Sequence, residues 1–160
     1  MSQTVSHIAV LSTPAPFHAK GVTRLKPAPR PSAKVLVVEH RDEVFARVDA
    51  DLRAWGIQVQ RATSAEEARR LYDHRPWELI LTHSDLPDET GWLFACKLRF
   101  VWPAARIWIY TPRWTAKELA LAEFIGVEEV LPYGGDLQRL AAEVFERLVT
   151  ASYSLPHLGA

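Results

Sequence analysis

Six side chains in this 160-residue sequence are placed where chemistry is done: Glu39, His40, His83, Asp85, Thr111 and Tyr133. Apart from Asp85, each sits at or just past the end of an apolar run that reads as a strand, and Asp85 follows His83 by two residues. An α/β sheet keeps its ligand site beyond the carboxyl ends of its strands. Two imidazoles and a carboxylate (His40, His83, Glu39) meeting there suit Zn²⁺, Ni²⁺ or Fe²⁺, whereas Mg²⁺ prefers oxygen donors. The plainer reading is that these rings fill a polar cleft, with the Tyr133 phenol bonded to Glu39 or Thr111. Asp85 and Asp88 belong to the turn SDLPDETG, where acids are ordinary turn residues.

The elements that position them follow from periodicity. KVLVVE is a continuous apolar run, as expected of a strand covered on both faces. Asp42 caps a helix that turns Phe45, Val48, Leu52 and Trp55 inward and ends at Gly56. IQVQ is a short strand. Ser64 and Glu67 form a capping box before a helix with Ala68, Leu71 and Tyr72 inward. ELILT is the third strand, and a helix from about Gly91 to Val101 stops before Pro103. RIWIY is the fourth strand. Thr115 and Glu118 form a second capping box, and Gly126 closes that helix. EEVL is the fifth strand, and Asp136 caps a long helix with Leu137, Leu140, Ala141, Val144, Phe145 and Leu148 on one face. Strands alternating with helices in this way specify a doubly wound, five-stranded parallel sheet.

Composition sets the frame. The chain is 48% hydrophobic and 24% charged, ordinary for one soluble domain. No apolar run approaches the ~20 residues of a membrane span, and Ile8 to Leu11 is too short for a signal-peptide core, so the expected location is cytoplasmic. Residues 1–34 carry Lys20, Arg24, Lys26, Arg30 and Lys34 and no acid, which leaves the remainder net acidic. With Pro14, Pro16, Pro27, Pro29 and Pro31, residues 1–33 read as a flexible basic leader, 34–150 as the domain and 151–160 as a tail. An acidic body argues against direct nucleic-acid binding. Cys96, the single cysteine, excludes an internal disulfide and is expected to be a buried thiol in an apolar helix.

These residues carry a resemblance. From Lys34 to Leu148 the chain resembles the receiver domain of bacterial response regulators, of CheY-like, flavodoxin-like fold. SDLPDETG is similar to the family's Leu-Pro-Asp-x-x-Gly turn, YTP to its switch-threonine segment with Thr111 in register, and GVEEVLPYGG to its Gly-Ala-x-x-Tyr-Leu-x-Lys-Pro-Phe segment. The resemblance implies a phosphoacceptor aspartate ending the third strand and Mg²⁺ held by it, by one of an acidic pair and by a backbone carbonyl. His83 stands at the acceptor position, Glu39-His40 at the acidic pair, Tyr133 at the lysine, Gly134 at its proline and Val130 at the aromatic switch residue. An acyl phosphate needs a carboxylate nucleophile and a hard cation, so neither aspartyl phosphorylation nor Mg²⁺ is expected. Phosphorylation of His83 itself lacks the exposed helical setting of phosphotransfer histidines.

The expectation is a stand-alone pseudo-receiver in two-component (phosphorelay) signalling that is not an enzyme. It holds no cofactor and acts through phosphorylation-independent protein–protein interaction. The alternative is a regulator using the former phosphorylation pocket, responsive either to a metal held by Glu39, His40 and His83 or to a small ligand in the cleft that Tyr133 and Trp114 make more apolar. Receivers engage signalling partners through the fourth helix, fifth strand and fifth helix, which brings Trp114 and Arg113 forward as a binding hot spot, or Trp114 as a lid over the cleft. Trp55 and Trp108 are expected in the core, and Trp92 beneath the turn or beside the pocket.

Overall fold

The computed structural model describes residues 33–75 and 77–153. Its strands are β1 (Lys34–Val38), β2 (Gln58–Ala62), β3 (Leu79–His83), β4 (Ile107–Thr111) and β5 (Glu129–Pro132). Its helices are α1 (Asp42–Ala54), α2 (Ala65–His74), α3 (Gly91–Val101), α4 (Ala116–Ile125) and α5 (Leu137–Tyr153). All neighbouring strands pair in parallel, in the order β2-β1-β3-β4-β5. The doubly wound five-stranded α/β fold expected from the alternation is therefore the observed one. The winding reverses between β1 and β3, so the crevice of an open α/β sheet lies at their carboxyl ends, where Glu39 and His83 stand.

Residue pattern explains strand placement. β3 and β4 are buried along their whole length, and β1 at all but Lys34, because helices cover both faces. The edge strand β2 alternates exposed and buried positions over its first three residues. Val35, Val37, Leu79, Leu81, Trp108 and Leu131 face α1 and α5, which contribute Val48, Leu52, Leu140 and Val144. Leu36, Val38, Ile80 and Ile109 face α2, α3 and α4, which contribute Ala68, Phe94, Leu98 and Ala122. The valine, leucine, isoleucine and phenylalanine side chains among these each contribute about 1.5–3 kcal/mol when fully buried.

Several boundaries differ from expectation. Arg41, not Asp42, is the N-cap of α1 and makes no side-chain cap bond, because its guanidinium is held by Glu39. The capping box at Thr115 and Glu118 is complete. The one at Ser64 is half formed: Ser64 accepts from the Glu67 N–H, but Glu67 turns to the Thr63 N–H and hydroxyl. Helix α5 runs to Tyr153, three residues into the expected tail. Ala33 belongs to the domain, since it is buried and its carbonyl accepts from Gln58. The rest of the basic leader, and the tail from residue 154, lie outside the described residues. Trp108 is buried as expected, while Trp55 is half-buried against Phe145 and Trp92 half-buried beside the α2–α3 core. Cys96 is exposed, contrary to expectation. The apolar pattern of α3 continues onto its outer face, so hydrophobicity alone did not mark which side is covered.

Candidate functional site

Side chains two residues apart on a strand share a face. Glu39 continues the face of Val35 and Val37, His83 that of Leu79 and Leu81, Tyr110 that of Trp108, and Tyr133 that of Leu131. Register sets His83 directly beside Tyr110. Four strand ends thus deliver a carboxylate, an imidazole and two phenols to one spot at the α1–α5 side of the sheet.

Glu39 is fully buried. Its Oε1 accepts from the Arg41 backbone N–H at 2.8 Å and from Arg41 Nε at 2.9 Å, and its Oε2 accepts from Arg41 Nη2 at 2.8 Å and from the Tyr110 hydroxyl at 2.5 Å. A carboxylate offers about four lone-pair sites, so this one is saturated. Burial opposes its ionisation most strongly, but the bonds from Arg41 and Tyr110 outweigh that, and the carboxyl is held below its ordinary range. Arg41 is stabilised as a cation mainly by the same bonds with Glu39, with the nearby Tyr133 phenol contributing less. Burial, then the negative charge of Glu39, pushes the Tyr110 phenol well above its usual value, so it stays protonated as a donor.

His83 is 4% exposed. Its Nδ1 lies 3.0 Å from the Asp85 N–H and 2.9 Å from the Asp85 carbonyl. Its ring meets Tyr110 edge-on at 5.1 Å and Tyr133 at 6.5 Å, and the two tyrosines meet at 5.8 Å. Among the described residues, His83 Nε2 is the buried side-chain nitrogen or oxygen that has no hydrogen-bond partner. Burial depresses the imidazole's basicity, as does nearby Arg41, against the opposing Asp85 bond and Glu39 charge.

The structure brings together Glu39, His83 and Tyr133, and separates them from the other expected members. His40 is exposed, with Nδ1 3.6 Å from Glu39 Oε1, too far for a hydrogen bond. Asp85 accepts from Ser84 Oγ at 3.0 Å and points to solvent. Thr111 is buried, but its hydroxyl donates to the Arg113 carbonyl at 2.8 Å instead of entering the cluster. Glu39, His40 and His83 do not converge as a ligand set, and among the described residues no group of three or more His, Cys, Asp or Glu side chains is placed to hold a metal ion. The phenol on Glu39 comes from Tyr110, not Tyr133. Arg41 and Tyr110 were not singled out from sequence. Tyr110 was detectable as the alternate-position neighbour of Trp108 next to His83, whereas Arg41 gave no signal beyond a charge beside a helix start.

The turn after β3 is a built structure. Both carboxylate oxygens of Asp88 accept from the first amides of α2, Ala65 and Glu66, at 3.0 Å each. Glu89, nearly buried, pairs with Arg69 of α2 and Lys97 of α3. The Gly91 N–H donates to the Ser84 carbonyl at 2.8 Å. A Cβ at Gly91 would lie 2.1 Å from the His83 carbonyl oxygen, so only glycine allows α3 to start this close to β3. Arg113 and Trp114 lie on the exposed loop beyond Thr111, with Trp114 45% exposed.

No family model matches the chain, and no curated protein matches it. Solved structures do. A CheY-like response regulator receiver domain protein from Methanospirillum hungatei is 18% identical, with a TM-score of 0.65 over 75% of this chain and 96% of its own. A two-component response regulator from Clostridium difficile is 23% identical, with a TM-score of 0.66 over 76% of this chain and 99% of its own. An orphan response regulator of H. pylori is 21% identical, with a TM-score of 0.63 over 75% and 99%. The chain has the fold of the response regulator receiver domains.

Proposed function

We propose that this chain serves two-component signal transduction as a pseudo-receiver, a binding module whose action does not depend on phosphorylation. The observation that carries this reading is the saturation of Glu39 by four donors, two of them from an internal guanidinium, beside a histidine where the family's acceptor aspartate would stand. Arg41 supplies the positive charge that a metal ion supplies in a phosphorylatable receiver. No carboxylate in the cluster is free to attack phosphorus or to ligate Mg²⁺. Output then rests on surface, with Trp114 and Arg113 at the head of α4 as the partner-binding residues and signalling proteins, not nucleic acid or membrane, as partners. No helix among the described residues is long and apolar enough to cross a membrane.

Two measurements test it. Incubation with acetyl phosphate and Mg²⁺, followed by intact-mass analysis, is expected to show no phosphoryl adduct; an acid-stable or acid-labile adduct on any residue of the domain overturns phosphorylation independence. Affinity capture comparing wild type with Trp114→Ala is expected to lose a signalling kinase or regulator; capture that ignores Trp114 removes it from the binding face.

One observation favours a second reading, a small-ligand-responsive regulator: the unpartnered Nε2 of His83, walled by two tyrosines. A ligand seated there changes tyrosine and tryptophan emission in wild type and not in His83→Asn.

A further inference from the structure

The largest unexplained feature of the surface is apolar and lies on α3 and α4. Phe100 is 90% exposed and Phe124 86%, with Leu93, Val101, Leu119 and Leu121 exposed around them. Leu93, Cys96 and Phe100 stand at i, i+3 and i+7 of α3, and Leu121 and Phe124 at i and i+3 of α4, so each set shares a helix face. The two helices are neighbours running the same way. The Arg99 guanidinium, one residue before Phe100, lies against the backbone of Gly126, two residues after Phe124; a Cβ at Gly126 would sit 2.9 Å from Arg99 Nη2. Both phenylalanines therefore belong to the same end of the helix pair, the end away from the Glu39–His83 cluster. Seven of the ten residues of α4 are apolar (Ala116, Leu119, Ala120, Leu121, Ala122, Phe124 and Ile125), its charged residues Lys117, Glu118 and Glu123 share no one face, and Ala122 is its one buried residue. Such a helix belongs under cover on more than one side.

We infer that this α3–α4 face joins two copies of the chain in a two-fold dimer. Area is the first argument. Phe100 and Phe124 together offer on the order of 350 Å² per copy, nearly half of the ~800 Å² that each partner contributes to a standard interface, and the surrounding leucines and Val101 extend it. Charge is the second. Lys97, half exposed although it pairs with Glu89, flanks the face on α3, and Glu123 flanks it on α4, while Arg99 is held by the Pro103 and Ala105 carbonyls of its own chain. A two-fold that lays α3 of one copy on α4 of the other sets basic flank against acidic flank, twice, as an isologous interface requires. Third, the whole chain has a formal net charge of zero, so no long-range repulsion keeps copies apart. The inference does not rest on the fate of the acceptor position.

The test uses the full chain. Sedimentation equilibrium from low to high micromolar concentration is expected to show a monomer–dimer equilibrium, with Phe100→Asp and Phe124→Asp each raising the dissociation constant by more than about tenfold. Both side chains are solvent-facing, so the melting temperature of the diluted protein should not fall; Gln138→Ala, at an exposed position of α5, is the control that leaves the equilibrium alone. Maleimide labelling of Cys96, which lies in the stripe between Leu93 and Phe100, should slow as concentration rises in wild type and not in Phe124→Asp. A monomer throughout, or a dimer indifferent to both phenylalanines with Cys96 labelled at a constant rate, overturns the inference and leaves the face to a different protein or to residues 1–32.

Discussion

At the scale of single residues, the cluster turns on one buried charge and the groups that satisfy it. Removing Arg41 leaves the Glu39 carboxylate with neither its cation nor two side-chain donors. Breaking a fully buried pair costs about 3–5 kcal/mol. Arg41 is partly reached by solvent, so Arg41→Ala is expected to cost nearer ~2 kcal/mol, read as a lowered denaturant midpoint. Tyr110→Phe removes a hydrogen bond to a charged acceptor and should cost ~1.5–3 kcal/mol. The pH dependence has a definite sign. His83 is less basic in the folded chain than its ordinary 6.5, so the unfolded chain binds more protons below that value. Its stability contribution is present above about pH 6.5 and is lost as pH falls below it. Glu39 adds acid sensitivity lower down, since its folded value lies below 4.5 and its contribution is lost as pH falls through that folded value. His83→Asn keeps an acceptor for the Asp85 N–H but does not titrate. Its melting temperature should therefore be flatter than wild type between pH 7.5 and 5.5, a window of about one unit either side of 6.5; an unchanged slope assigns the proton to another group.

At the scale of elements, the turn between β3 and α3 is where local sequence and tertiary geometry meet. Gly91→Ala drives a methyl into the His83 carbonyl and should cost ~1–3 kcal/mol or more by overpacking. The same change one residue earlier, Thr90→Ala, removes the α3 cap bond to Leu93 and should cost ~1 kcal/mol. Comparing the two melts separates steric contact from capping. Strands, helices and their order were legible because each has one period and a short apolar run. The position of His83 followed from counting along that pattern. What was not legible depended on contacts between elements. Asp88 is a turn acid by sequence and a cap for α2 by geometry, 23 residues from Ala65. Tyr110 looked like core until register placed its hydroxyl on Glu39, 71 residues away. Cys96 was misplaced because α3 and α4 are apolar on faces that the described residues do not cover.

At the scale of the whole molecule, the two ends of the fold carry different features. The strand-end cluster and Trp114 lie at one end, Phe100 and Phe124 at the other, and α4 separates Trp114 from Phe124 by about 15 Å of helix. Effects at sites that far apart add when no contacts are shared, so the double variant Trp114→Ala with Phe124→Asp should lose partner capture and self-association by the sum of the single effects. Divalent cations probe the cluster through the stability of the entire domain. A ligand that binds the folded chain raises its stability by RT ln(1 + [L]/Kd), ~2.7 kcal/mol at a hundredfold excess over Kd. For a domain of this size that is a shift of several degrees, since about 1 kcal/mol moves the midpoint by roughly 4 °C. Because Arg41 and Tyr110 occupy the four acceptor positions of Glu39, millimolar Mg²⁺ is expected to leave the melting temperature of wild type where it stands. Arg41→Ala opens two of those positions, one on each carboxylate oxygen, while the backbone N–H of residue 41 still donates to Oε1. A Mg²⁺-dependent rise in that variant alone identifies Arg41 as the built-in replacement for the cation. A rise in wild type of the same size shows that Glu39 exchanges its internal partner for a metal, and the pseudo-receiver reading then fails at its central observation.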